Sequence, residues 1–126
     1  MEPPLLPAVQ KAYDINRWLL PRVERFSRRY KFTLGDRLQT TAIDLCLALT
    51  EASHSGSKDR PLYRANRLLD QLRLLLRLAC DVGELTTRQL EFVSAQNEEL
   101  GRMIGGWLKA ARGPRRDRDR DGSLQG

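Results

Sequence analysis

Histidine is almost absent from the sequence: His54 stands alone among 126 residues. It falls in "EASHSGSK", a polar stretch at an expected helix end, where an imidazole is ordinarily solvated or caps the helix. No His/Cys cluster shows metal-ligand spacing, and no pair of carboxylates lies in an apolar setting. Metal-dependent and general acid–base chemistry are therefore not expected, and neither is a cofactor. Cysteine is nearly as scarce. Cys46 and Cys80 are both embedded in leucine-rich helical pattern, where they read as reduced, buried small hydrophobes rather than a disulfide framework. Apolar runs are short, and none reaches the roughly 18 residues that a membrane span requires. The opening "MEPPLLPAVQ" has neither the basic nor the apolar region of a signal peptide. A cytoplasmic protein without membrane contact is the expectation. Aromatics make up only 6% of the residues, strand-like alternation is missing, and no Gly-rich loop follows a strand to hold a phosphate.

What is present is leucine, arginine and helical periodicity. Hydrophobic residues are 40% and charged residues 30% of the chain, a globular composition. The net charge is +6. The last 14 residues, "GPRRDRDRDGSLQG", nearly balance, so the excess sits on the body of the chain and favours a polyanionic partner.

Four helical segments follow from the spacing of apolar residues. The first covers about residues 9–29, with Ile15, Leu19, Val23, Phe26 and Tyr30 on one stripe and Trp18 beside it. Pro21 lies inside this segment and predicts a kink or a restart. The second covers about residues 34–54, with Thr33 as the expected N-cap and Leu34, Leu38, Ala42, Leu45, Leu49 and Ala52 inward. The third covers about residues 60–82, with Asp59 able to cap and Pro61 in the first turn. Its main stripe is Leu62, Ala65, Leu69, Leu72, Leu76 and Ala79. The fourth opens at "ELTTRQL", where Thr86 and Gln89 form a capping box and Leu85 can staple against Leu90. It continues through Val93, Leu100, Ile104, Trp107 and Leu108 to about residue 112. Short connections make successive helices antiparallel neighbours, so the fold class is all-α, an up-and-down antiparallel four-helix bundle. The bundle spans residues 9–112. Residues 1–8 are expected to form an extended arm, and the alternating charge of residues 113–126 a disordered tail.

The stretch "LRLLLRLA", residues 72–79, has more leucine than one face can bury. Leu74 and Leu78 point away from the expected core, as do Ile43 and Leu47 on the second helix. Each such side chain forfeits about 1.5–3 kcal/mol in water relative to burial. These four residues form a candidate oligomer or partner surface, the alternative being irregular packing that covers them within the chain. Arg73 and Arg77 lie in the same band, one turn apart. Repeated around a symmetry axis, they would concentrate positive charge towards a phosphate backbone. Intrachain pairing, Arg73 with Asp70 and Arg77 with Asp81, is the competing account. A second basic cluster, "PRVERFSRRYK", holds Arg22, Arg25, Arg28, Arg29 and Lys31. Arg22, Arg25 and Arg29 would share a face on a continuous helix, interleaved with Tyr30 and Phe32. In "GRMIGGW", Gly101, Gly105 and Gly106 interrupt good helix pattern, and Gly101 with Gly105 makes a face that admits a close neighbouring backbone.

Three segments, "RRYKFTLGDRLQTTAIDL", "YRANRLLDQLRLLLRLA" and "LGRMIGGWLK", in this order and spacing resemble Avd, the accessory variability determinant family of diversity-generating retroelements. The resemblance covers about residues 13–112. It implies a non-catalytic four-helix bundle that assembles as a basic homopentameric ring and binds RNA or DNA. It also implies binding to the retroelement's reverse transcriptase, in support of mutagenic copying of a template RNA. Arg73 and Arg77 match the family's helix-three arginines, and Gly101, Arg102 and Gly105 its helix-four Gly-Arg…Gly pattern. "RYKFTLGDRLQ" is also similar to the bundle proteins of ribosomal-RNA intervening sequences, which leaves an RNA-binding bundle without a polymerase partner as the alternative.

Overall fold

The computed structural model describes residues 6–125, with side chains described for residues 6–112. Residues 1–5 of the expected arm lie outside it. The disordered tail expected over residues 113–126 lies outside the described side chains. Among the described residues there are four long helices: α1 (Pro7–Glu24), α3 (Asp36–His54), α4 (Asp59–Asp81) and α5 (Thr87–Gln125). A short α2 (Arg28–Tyr30) and a π-helical turn (Lys31–Gly35) link α1 to α3. Each long helix packs along two others, α1 and α4 both lying between α3 and α5. The result is the expected up-and-down bundle. Among the described residues there is no strand, and no helix is long and apolar enough to cross a membrane.

The inward stripes read from the sequence meet at the axis. Leu19, Leu38, Leu45, Leu49, Leu62, Leu69, Leu72, Leu76, Leu100 and Ile104 are all fully buried. One polar side chain crosses this core to a purpose: Asn16 Nδ2 donates to the carbonyls of Ala12 (2.9 Å) and Ala42 (2.8 Å), tying α1 to α3.

Several helix ends depart from expectation. α1 begins at Pro7, whose missing N–H costs nothing in a first turn. It then runs through Pro21 and stops after Glu24, where the amides of Arg25 and Phe26 turn to the carbonyls of Arg22 and Val23. The restart comes from the extended Ser27, whose carbonyl accepts from Tyr30 and Lys31. Thr33 consequently caps nothing. It sits within the π-helical turn, its hydroxyl donating to the Tyr30 carbonyl at 3.4 Å. Gly35 closes that turn because a Cβ there would stand 2.9 Å from Val23 Cγ1, so glycine lets the start of α3 press on the end of α1.

Asp59 is likewise no N-cap but the first residue of α4. Lys58 before it serves the preceding helix, its Nζ donating to the carbonyls of Ala52 (2.8 Å) and Ser55 (3.0 Å). α4 ends in a Schellman motif. Gly83, at φ +87°, is the left-handed residue, and Glu84 and Gly83 donate to Ala79 and Cys80. The start of α5 is as expected: Thr86 N–H donates to Gln89 Oε1 at 2.9 Å and Gln89 N–H to Thr86 Oγ1 at 3.0 Å, above a buried Leu85.

Candidate nucleic-acid and partner interface

The leucine band divides as its excess of apolar residues predicts. Leu72, Leu76 and Ala79 are buried, whereas Leu74 is 68% and Leu78 46% exposed. Ile43 and Leu47 are exposed as well. The four candidates therefore present apolar area to solvent in the single chain, and irregular packing does not cover them. Leu78 belongs to an open groove of about 1000 Å³ between α3 and α4, walled also by Leu68, Leu75 and Val82 and closed at one end by Tyr30 and Phe32. The π-helical turn delivers Phe32 to that end, largely exposed. No isolated motif flags this groove, because α3 and α4 contribute its walls jointly.

Arg73 and Arg77 differ more than their one-turn spacing suggests. Arg73 Nη1 pairs with Asp70 at 3.0 Å, its side chain 42% exposed, and Nη2 reaches across to the carbonyl of Asn97 on α5 at 3.4 Å. The intrachain account therefore describes its geometry. Arg77 is exposed, and among the described residues it makes no ion pair, so the suggested bridge to Asp81 does not form. Arg102 lies on the outer side of α5, 3.7 Å from Glu98, with both side chains largely exposed. Such a pair contributes little in water and leaves the guanidinium available.

The second cluster is rearranged by the break after Glu24. Arg22, Arg25 and Arg29 do not share a helix face, because Arg22 lies in the last turn of α1, Arg25 is its C-cap and Arg29 belongs to α2. Arg22 folds back on its own helix, Nη1 donating to the Trp18 carbonyl at 2.6 Å with Cζ 4.1 Å from the Trp18 ring centroid. Arg25 and Arg29 are exposed. Lys31 pairs with Glu24 at 3.1 Å.

The glycines of α5 also separate. A Cβ on Gly101 would stand 2.8 Å from Arg73 Nη2 and 3.5 Å from Leu69 Cδ2, so this position does admit a close neighbour, a side chain rather than a backbone. Gly105 and Gly106 have open space where a Cβ would be. Close packing within the chain at these two positions is overturned: their face of α5 turns outward.

One feature escaped sequence reasoning. Phe92 is 49% exposed on α5, its ring centroid 5.5 Å from that of Trp18 on α1. Only its displacement from the Val93, Leu100, Ile104 stripe hinted at this. Cys46 and Cys80 are free, as the sequence suggested, but only partly buried rather than in the core, and desolvation raises the Cys46 thiol pKa. Among the described residues no three His, Cys, Asp or Glu side chains gather as a metal site would need. His54 is exposed at the end of α3.

A family model described as bAvd-like matches residues 6–111. No curated protein matches the chain.

Proposed function

Because the chain belongs to the bAvd-like family, we propose that it is a non-catalytic accessory protein of a diversity-generating retroelement. In this reading it acts in the cytoplasm as a basic homo-oligomer, with five subunits the expected number. The assembly binds nucleic acid and the retroelement's reverse transcriptase, supporting mutagenic reverse transcription of the template RNA. The family match over residues 6–111 carries the reading. Two surface properties support it. The exposed Ile43, Leu47, Leu74 and Leu78 give copies of the bundle apolar area to bury against one another. The positive balance of the folded body, with Arg25, Arg29, Arg77 and Arg102 on its surface, suits a phosphate backbone. Such contacts position a polyanion without reading its sequence.

Co-expression with the reverse transcriptase encoded beside it tests the proposal. The two chains are expected to co-purify through an affinity tag and gel filtration, and the complex to retain RNA. A chain that holds RNA but never the polymerase would instead support the ribosomal-RNA intervening-sequence type of bundle.

A further inference from the structure

The seam between α1 and α5 brings together groups that no sequence motif joins. Phe92 packs at 32° to Trp18, with ring centroids 5.5 Å apart. Trp18 in turn carries the Arg22 guanidinium 4.1 Å from its centroid. Phe92 remains half exposed, so the aromatic pair is supported from below and offers ring surface to solvent. Beside it lies a polar pocket of about 250 Å³ lined by Pro21, Arg22, Arg25, Glu84, Leu85 and Gln89. Arg22 Nε is buried without a hydrogen-bond partner among the described residues, a donor that lacks an acceptor. Glu84 is the one acidic group in the lining, and its carboxylate already accepts the Ser27 N–H. Arg88, exposed and one turn before Phe92 on α5, adds a further cation to the same side.

We propose that this seam binds one nucleotide of a single-stranded nucleic acid, its phosphate in the Arg22–Arg25 pocket and its base stacked on the exposed ring of Phe92. Gln89 in the pocket and Phe92 are three residues apart on α5, about 4.5 Å along its axis, so pocket and ring lie on neighbouring positions of one helix. A preformed aromatic pair flanked by arginines is the arrangement that proteins use to hold single strands, because every base has a face to stack. A duplex keeps its bases stacked on each other and cannot use Phe92. The inference rests on the nucleic-acid reading above and adds to it a contact with the base.

The test compares three ligands on the full-length protein in one buffer: single-stranded oligoadenylate RNA, an RNA duplex of equal charge, and inorganic polyphosphate. The variants are F92A, F92Y and R25Q. F92A is expected to weaken oligoadenylate binding by roughly five- to 150-fold, the loss of one stacked base, while duplex and polyphosphate binding hold. F92Y keeps the ring and should bind as the parent does. R25Q should weaken all three and reduce their salt dependence. Wild-type protein that binds none of the three overturns both this inference and the nucleic-acid reading. Wild-type binding with F92A unchanged overturns only the stacking contact. Equal losses on all three ligands in F92A overturn it too.

Discussion

The Arg73 guanidinium rests in the space that the missing side chain of Gly101 leaves: a Cβ at residue 101 would stand 2.8 Å from Nη2. The same arginine reaches the Asn97 carbonyl one turn earlier on α5. An arginine of α4 is thus held against α5 by the absence of a side chain there.

Alanine at the two glycines should separate their roles. In G105A the new methyl meets nothing, so helix propensity alone acts and the protein gains about 0.5–1 kcal/mol. A thermal melt should move up by a few degrees. In G101A the same gain is offset, because the guanidinium must leave its seat and release the Asn97 carbonyl. The melt should then stay near that of the parent. A G105A protein that melts lower, or loses its oligomeric state, would place that face against another subunit.

Arg77 and Arg73 should part company in a binding assay. R77Q removes an exposed charge without an intrachain partner among the described residues, so stability should change by less than about 0.5 kcal/mol. Affinity for single-stranded RNA should fall, with the slope of log affinity against log salt shallower by about 0.7 for each phosphate that is no longer neutralised. R73Q should cost little in binding and a few tenths of a kcal/mol in stability, because its pair with Asp70 is already half in solvent. Undiminished binding and an unchanged salt slope in R77Q would exclude Arg77 from the nucleic-acid contact and leave it to the basic residues near the end of α1.

The outward leucines predict self-association. Light scattering in moderate salt should give a mass well above the 14.5 kDa chain, about fivefold for a closed five-subunit ring. L74E with L78E should shift the mass towards the monomer while the circular dichroism melt is retained, since neither side chain is in the core. A wild-type protein that stays monomeric at high concentration would refute the assembly.

Cys46 provides a pH-dependent readout. Burial favours the neutral thiol, so its folded pKa lies above the ordinary 9.0. The unfolded chain then deprotonates first. The stability contributed by this group is full below the unfolded pKa and is lost as pH rises through the folded one. Iodoacetamide labelling followed by mass spectrometry at pH 8.5 should find Cys46 reacting more slowly in the folded protein than after denaturation. Equal rates would show that the thiol is solvated.

The architecture is legible in the sequence because its signals are local or periodic. The stripe from Leu62 to Ala79, the Thr86–Gln89 capping box and the short connections each involve residues within a turn or two of one another. Together they leave few folds other than an antiparallel bundle. The surplus of Leu74 and Leu78 is legible for the same reason, since a helix has one inward face and these residues fall off it. Thr33, by contrast, misleads because propensity marks a residue able to cap a helix but not where the backbone turns. That turn is set by the break after Glu24 and by the contact of Gly35 with Val23, which joins two helices. The fates of the arginines are decided in the same way. Whether Arg73 also reaches the Asn97 carbonyl, and whether Phe92 has a ring beneath it, depend on how α1 and α4 flank α5. Side chains close in space but distant along the chain leave no period to read. The sequence therefore determined the helices and their inner faces, while packing between helices decided which charges and rings remain free to meet a partner.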